Sequence, residues 1–376
     1  MIKSISLENF KCYQETATFP TTNINVLYGM NGRGKSTLLQ ALLLFYQSLS
    51  ENNTISKLQL KGTTVNVGSF YDAINRYAGA KSFGIQIVDS QERMVAVYGE
   101  DENPTKALLT SLYVNEKNYF DEHSTALDAN DSGGDQNVKR TLGVIDKSSI
   151  RLLNTLEHVV YVSADRVGPK EFVERKPIEK NYVGVQGENS YQVIESQGLD
   201  FVARVQTELD FILGGASVKT SSTEDKSIIQ LYLDSVNGTE GYKPINVGFG
   251  YSYVLPVVLS VLLADKGSVV ILENPEAHLH PAAQSRIVSF ILKHALEKQL
   301  QVFMETHSDH VVNGIRIAVK KGEIDHSDVS ILHFERDADV KLAPRFKQIK
   351  VDRQGNLSNY PEDFMDEWTK QLLELA

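Results

Sequence analysis

The sequence predicts a mixed α/β fold in which parallel strands deliver phosphate-handling residues at their C-terminal edge. Three stretches carry that expectation. Residues 24–28 (INVLY) read as a short buried strand, which turns through the glycine-rich stretch 29–37 and opens onto residues 38–46, apolar and free of Gly and Pro, which read as a helix. Residues 268–272 (SVVIL) form a second buried run that ends in Glu273. Residues 301–304 form a third, ending in Glu305-Thr306-His307-Ser308-Asp309-His310. Ligands of open sheets bind at such strand ends.

The first turn has a specific chemistry. Gly29, Gly34, Lys35 and Ser36 satisfy the spacing G-x-x-x-x-G-K-[ST] between a strand and a helix. Glycines let successive backbone N–H groups point at an anion, and the helix that follows adds the positive end of its dipole. Asn31, Gly32, Arg33, Gly34, Lys35, Ser36 and Thr37 are therefore expected to cradle the phosphates of a nucleoside triphosphate. Lys35 should reach the β- and γ-phosphates and the Ser36 hydroxyl should ligate Mg²⁺.

Glu273 is placed as a Walker B carboxylate, at the end of an aliphatic strand near the first one, where it would hold Mg²⁺ through water. Hydrolysis also needs a group that orients or deprotonates the attacking water. Glu276 is the candidate, because Asn274 offers no basic carboxylate. The competing reading makes Glu276 a helix N-terminal carboxylate favoured by the dipole. His307, at the tip of the third strand, is placed to donate a hydrogen bond to the γ-phosphate and sense its loss. A metal site built from His278, His280, His307, Asp309 and His310 is the other use those side chains suggest.

About twenty residues before Glu273, Asn246-Val247-Gly248-Phe249-Gly250-Tyr251-Ser252 precedes an apolar helix expected over 253–263. Glycines before a helix form a second anion nest. Two nests in one chain suggest a nucleotide shared by two subunits, with Gly248, Gly250 and Ser252 acting in trans, and hence an ATP-sandwiched homodimer.

Composition narrows the class further. The chain has 376 residues, 41% hydrophobic and 23% charged, as a globular protein with a core has. No apolar run approaches bilayer length, the N-terminus lacks signal-peptide character, and the single cysteine, Cys12, fits a reducing cytoplasm as a small buried hydrophobe. A net charge of −10 argues against a protein that coats nucleic acid over its whole surface. Short basic groups at Lys139-Arg140, Arg175-Lys176 with Lys180, and Arg316 with Lys320-Lys321 read as solvated faces.

In order along the chain, residues 2–10 and 16–19 read as strands, and 83–88 with 93–98 as a hairpin. Residues 121–135, rich in Asp, Asn, Ser and Gly, read as a flexible loop. Residues 159–162 read as a strand ending in a turn, 187–213 as helical, and 227–233 as a strand. These readings give a discontinuous core over 1–50 and 155–325, an insert over 51–154 with helical parts, a hairpin and an acidic loop, and a C-terminal strand pair and helix over 326–376. The N-terminal strands and the hairpin should form an antiparallel β lobe.

The residues at these positions resemble the ABC-type ATPase head shared by RecF, SMC and OLD-family proteins. Ile5-Ser6-Leu7-Glu8-Asn9-Phe10-Lys11, the loop 29–37, the run Glu273-Asn274-Pro275-Glu276-Ala277-His278-Leu279-His280-Pro281 and the switch Glu305 to His310 carry the likeness. More narrowly, Val162-Ser163-Ala164-Asp165-Arg166 with Pro169, Val247-Gly248-Phe249-Gly250 and the tail from Val351-Asp352 to Glu367 resemble a bacterial group of predicted ATPases with a C-terminal domain of unknown function. The resemblance implies ATP and Mg²⁺ as ligands, Lys35 and Ser36 as phosphate and metal contacts, Glu273 as the Walker B acid and His307 as the switch histidine. It further implies Gly248 and Gly250 as a signature loop reaching the partner's nucleotide, and His280 in a dimer-facing loop. Two departures stand out: Glu273-Asn274 replaces the Asp-Glu pair of the pattern, and Val-Gly-Phe-Gly-Tyr replaces the transporter-like signature. Either Glu276 has taken over as base, or turnover is slow and ATP acts as a clamp.

Long coiled coils are absent, and about seventy residues after His307 are too few for an appended Toprim nuclease. In the tail Asp337, Asp339, Asp352 and Glu362 form no convincing acidic cluster. The implied role is a sensor or motor subunit of a Septu-like anti-phage system, working beside a separately encoded nuclease effector. The alternatives are a RecF-like DNA-repair ATPase that touches DNA directly, and an ATP-gated scaffold without appreciable hydrolysis.

Overall fold

The computed structural model describes residues 1–119, 147–234, 241–335, 345–361 and 363–375. The acidic stretch 121–135, Lys139-Arg140, and Asp337, Asp339 and Glu362 lie outside them. The chain divides into two compact units, one of Met1–Thr21, Ser36–His158 and Arg336–Arg345, the other of Thr22–Lys35, Val159–Glu335 and Phe346–Ala376.

The first unit is built on a seven-stranded sheet whose paired strands are all antiparallel. Ile2–Glu8 lies between Ala17–Pro20 and Ser82–Asp89, and the sheet continues through Arg93–Glu100 and Lys106–Val114 to Lys57–Gln59, with Lys117–Asn118 paired to Lys106–Val114. Along Ser82–Asp89 burial alternates residue by residue, as a strand with one face on a core requires. The sequence reading gave the insert helical parts. Between residues 53 and 154 the described α-helices are only Phe70–Ala73 and Arg151–Glu157, because alternating runs such as 82–100 and 106–114 bury one face as strands. The helix Lys35–Asn52 follows the glycine-rich loop directly, and from Ser36 onward it falls in this unit.

The second unit holds a six-stranded sheet in the order Arg345–Ile349, Val329–Glu335, Ile24–Tyr28, Gln301–Thr306, Val269–Glu273, Val159–Val162. From Val329–Glu335 to Val159–Val162 every pair is parallel. Ile24–Tyr28 is buried at all five positions, as a central strand covered on both faces must be. Asn25 is tolerated there because its amide is satisfied, accepting from the Thr22 N–H at 2.8 Å and donating to the Thr22 and Val302 carbonyls. Around the sheet an apolar core joins Val26, Ile271 neighbours Val270 and Leu272, the helix residues Val254, Leu255 and Val258, and Ile287 and Ile291. A smaller sheet of Val173–Glu174, Ile228–Asp234 and Ser217–Ser222 belongs to the same unit.

Val269–Glu273 lies near Ile24–Tyr28, with the strand Gln301–Thr306 paired to both and set between them. One sequence expectation shifts. The helix expected over 253–263 begins at Phe249, with Gly248 as its N-cap, so Gly250 and Ser252 lie in its first turn and not in a loop ahead of it. Aromatic packing accounts for the earlier start: the Phe249 and Tyr253 rings flank His278, with the Tyr253 and His278 centroids 4.3 Å apart.

Candidate nucleotide site

Strand Ile24–Tyr28 ends in a loop of three glycines with positive φ, Gly29 at 139°, Gly32 at 72° and Gly34 at 93°. Only glycine takes such angles routinely. The three do different work. A Cβ on Gly29 would lie 2.6 Å from the Phe334 carbonyl oxygen, so this glycine lets the loop pass against the strand Val329–Glu335. A Cβ on Gly32 would meet nothing within 4 Å, so the middle of the loop faces open space, as a backbone cradle for an external anion must. Asn31 and Gly32 are exposed, while Arg33 and Gly34 are half-buried.

Lys35 opens the helix and is almost wholly buried, at 2% exposure. Its Nζ donates to the Gly29 and Met30 carbonyls, both at 2.8 Å, and lies 3.7 Å from Glu305 Oε1. Burial lowers its pKa, partly offset by the Glu305 charge. Ser36 and Thr37 follow in the first turn. The Thr37 hydroxyl lies 3.6 Å from Cys12 Sγ, and burial pushes the Cys12 thiol up.

Glu273 closes the strand Val269–Glu273 in register with Glu305 on the neighbouring strand. Its Oε2 accepts from the Ala164 N–H at 3.0 Å, and Tyr161 donates to the same carboxylate. Burial pushes its pKa up, the Glu305 charge adds to that, and Arg166 opposes it. In the turn that follows, Asn274 takes a left-handed φ of 43° and its side-chain Oδ1 is buried without a hydrogen-bond partner.

Glu276 is buried in this turn. The helix after it runs Pro281–Lys298 with His280 as N-cap, so Glu276 lies well before the helix and is not an N-terminal helix carboxylate. Its Oε1 accepts from Thr306 Oγ1 at 2.6 Å and from the His307 N–H at 3.3 Å, which ties the turn to the end of the strand Gln301–Thr306. Its Oε2 is buried with no partner among the described residues. Burial is the main cause of its raised pKa. A carboxylate with one oxygen fixed and the other unsatisfied is suited to receive a proton from water.

His307 is exposed, and its ring hydrogen-bonds the Gly29 carbonyl that Lys35 also holds. Burial of part of the ring and the Lys35 charge lower its pKa. Beside it lies a cavity of about 240 Å³, lined by Gly29, Met30, Asp309, Asp363, Asp366 and Glu367 among others. Those carboxylates would repel phosphate, which leaves the N–H face of the loop as the anion seat.

The helix Phe249–Leu263 places Gly248 and Phe249 at an exposed end, but Ser252 is buried with its Oγ unpartnered. Gly250 is needed for contact, since a Cβ would lie 2.9 Å from the His278 carbonyl oxygen. Sequence reasoning missed Glu305 and Arg166 as site residues. Glu305 followed an apolar strand just as Glu273 does, which was a usable signal. Arg166 stood in the stretch Val162 to Arg166 that carries the resemblance but was given no role, because all its guanidinium partners except Ser163 lie about 90 to 110 residues away.

The donor set fits ATP with Mg²⁺. An open backbone cradle and a buried lysine serve the phosphates. Among the described residues no three His, Cys, Asp or Glu side chains are grouped to hold a metal by themselves, so the histidine-rich alternative lacks a ligand set. Mg²⁺ takes few protein ligands and completes its shell with phosphate and water, so one hydroxyl and one carboxylate suffice.

Comparison with known proteins agrees with this geometry. Residues 1–140 match the model of a family described as "AAA ATPase domain", and residues 186–313 match one described as "AAA domain, putative AbiEii toxin, Type IV TA system". Residues 324–375 match a family described as "Protein of unknown function (DUF3696)". No curated protein matches the sequence significantly. Among solved structures, the chain is similar to an SMC head bound to the C-terminal winged-helix domain of ScpA, at 13% identity over 94% of this chain and 98% of that one, with a TM-score of 0.52. It is also similar to an Smc head with an extended coiled coil bound to the C-terminal domain of ScpA derived from Pyrococcus furiosus, at 12% identity over 100% and 99%, with a TM-score of 0.52. The fold is therefore a mixed α/β one, similar to that of SMC heads. Two of the three partial family matches are described as ATPase or AAA domains, and they fall on the segments that carry the glycine-rich loop and the strand ending in Glu273.

Proposed function

We propose that this chain binds Mg–ATP in the loop 29–37, hydrolyses it, and dimerises around it as a regulatory subunit of a bacterial anti-phage complex with a separate nuclease. The observation that carries the enzymatic part is the meeting of Lys35, Glu273, Glu276, Glu305 and His307 at the ends of three adjacent parallel strands. The residues assigned to Mg²⁺ are Ser36 and Glu273, and the ion would supply charge neutralisation on the β- and γ-phosphates. Lys35 adds a fixed cation, and the backbone N–H groups of residues 31–37 orient the chain of phosphates. Glu276 Oε2 accepts the proton of the attacking water as the bond from the γ-phosphorus to the bridging oxygen breaks and ADP leaves with that electron pair. His307, neutral at physiological pH, donates to the γ-phosphate and loses that contact when phosphate departs.

Dimerisation is supported by the exposed Gly248 end of a helix fixed to the Walker B turn. The effector reading is supported by a match to a family whose description names a toxin–antitoxin system, which is a two-component arrangement. Two structural neighbours were solved with a domain of ScpA bound, which supports a head of this fold that works with a separate protein. No described helix is long and apolar enough to cross a membrane. The test is ATP turnover by the purified full chain with and without Mg²⁺, combined with the mass of the complex recovered when it is expressed with its neighbouring genes. Mg²⁺-dependent turnover with a co-purifying nuclease supports the reading. Turnover stimulated by DNA and no co-purifying protein would move the assignment to DNA repair, and ATP-dependent dimers without turnover to a scaffold.

A further inference from the structure

We infer that Arg166 is a positioning residue that couples the Walker B edge to the helix carrying Gly248, so that nucleotide bound by one subunit alters the surface offered to the other. The inference rests on the nucleotide reading above. Arg166 is 3% exposed and makes four hydrogen bonds, all to backbone carbonyls. Nε donates to Ser163 at 3.0 Å, Nη1 to Tyr253 at 3.0 Å, and Nη2 to both Glu273 and Asn274. The guanidinium thereby joins three segments, the turn after Val159–Val162, the first turns of Phe249–Leu263, and the end of the Walker B strand. A planar fork with fixed donor directions makes such a junction, and a lysine with one flexible ammonium does not.

The junction grips the functional residues at their backbone. Asn274, held in a left-handed conformation, leads into the turn that carries Glu276, and the Glu273 carbonyl belongs to the Walker B acid itself. Across the same turn Gly250 packs against the His278 carbonyl and the Tyr253 ring lies 5.8 Å from the guanidinium carbon. A shift of the Walker B edge on nucleotide binding is therefore transmitted to residues 248–253 through contacts on both sides of the helix start. Because the acceptors are backbone carbonyls, the hydrogen bonds of the link do not depend on the side chains at positions 253 and 163. They also make the arginine hard to replace.

Hydrogen exchange of the full chain with and without Mg–ATP tests this, using Arg166→Lys. In the wild type, nucleotide should protect the loop 29–37, the turn 273–278 and the helix start 248–256. In Arg166→Lys the loop should stay protected while protection over 248–256 is lost, and kcat should fall about tenfold or more with KM within about threefold. Asn274→Ala opposes the left-handed turn that the guanidinium grips without touching the arginine, and it decides the matter if Arg166→Lys does not fold. It should lose the same distal protection. Wild-type protection of 248–256 in a folded variant overturns the coupling. Absence of protection at the loop in the wild type sinks the nucleotide reading itself, a different result from loss at the helix alone.

Discussion

Glu276 is the residue at which the proposed function and stability pull in opposite directions. Burial raises its pKa above the ordinary carboxylate value, and its Oε2 has no partner. A raised folded pKa contributes stability that is present below the unfolded value near 4.5 and is lost as pH rises through the folded one, so at neutral pH the buried charge is a cost. Glu276→Gln keeps an oxygen for Thr306 Oγ1 and the His307 N–H while removing the charge. It should melt higher than wild type at pH 7.5, by about 2 °C or more for each kcal/mol regained, and the difference should shrink as pH falls toward 4.5. Turnover should drop about 100-fold or more with ATP binding retained, as removal of a general base does. Wild-type turnover in this variant would remove Glu276 from the mechanism. His307 shifts the other way. Its lowered pKa keeps it neutral until pH falls below the ordinary histidine value of about 6.5, so its contribution to the kcat profile should appear below that pH, and His307→Ala should remove that contribution while leaving the limb set by Glu276. Lys35, Glu273 and His307 were legible in the sequence because each is marked by its immediate neighbours. Arg166 was not, because its role exists only once residues 253, 273 and 274 are folded against it.

At the scale of elements, the glycines of the phosphate loop separate into structural and ligand-facing positions. Gly29→Ala sets a Cβ against the Phe334 carbonyl at 2.6 Å and takes a φ of 139° that alanine resists. It should lower the melting temperature without nucleotide present, a cost of about 1–3 kcal/mol or more for overpacking. Gly32→Ala meets no neighbour within 4 Å and carries only the left-handed penalty of about 1–2 kcal/mol. Its larger effect should be on ATP affinity, since the added methyl stands at the cradle's open side. Thermal melts and nucleotide titrations of the two variants distinguish these outcomes, and equal losses of affinity per degree of melting would contradict the division. Strand ends were readable at this scale because apolar runs stop abruptly at Glu273 and Glu305, although the third strand runs on to Thr306. Strand order was not. The placement of Gln301–Thr306 between the other two depends on pairing over hundreds of residues, which local periodicity does not encode. The helix start at Phe249 escaped for a related reason, since the aromatic contacts with His278 that extend it are made across the chain.

At the scale of the whole molecule, the proposed sandwich makes a claim about which subunit supplies which part. Gly248 is exposed, its added Cβ would touch nothing within 4 Å, and its φ of −59° suits any residue. Gly248→Asp should therefore fold normally while setting a negative charge where the partner's phosphates would lie. Lys35→Ala disables the phosphate loop instead. Each homodimer alone should be inactive. In a mixed dimer the intact loop of one subunit faces the intact helix start of the other, which restores one site of two. An equimolar mixture should therefore recover turnover, at most about half that of wild type, since a mixed dimer has one intact site of two. If the helix start instead served its own subunit's nucleotide, every site in the mixture would carry one lesion and no activity would return. Mass measurements on the same samples supply the second reading. Glu276→Gln with Mg–ATP should accumulate as a dimer of the 41.9 kDa chain, and Lys35→Ala should not. Recovery of activity without ATP-dependent dimers would point to rapid exchange of transient pairs, whereas dimers without recovery would place the nucleotide away from the Gly248 surface.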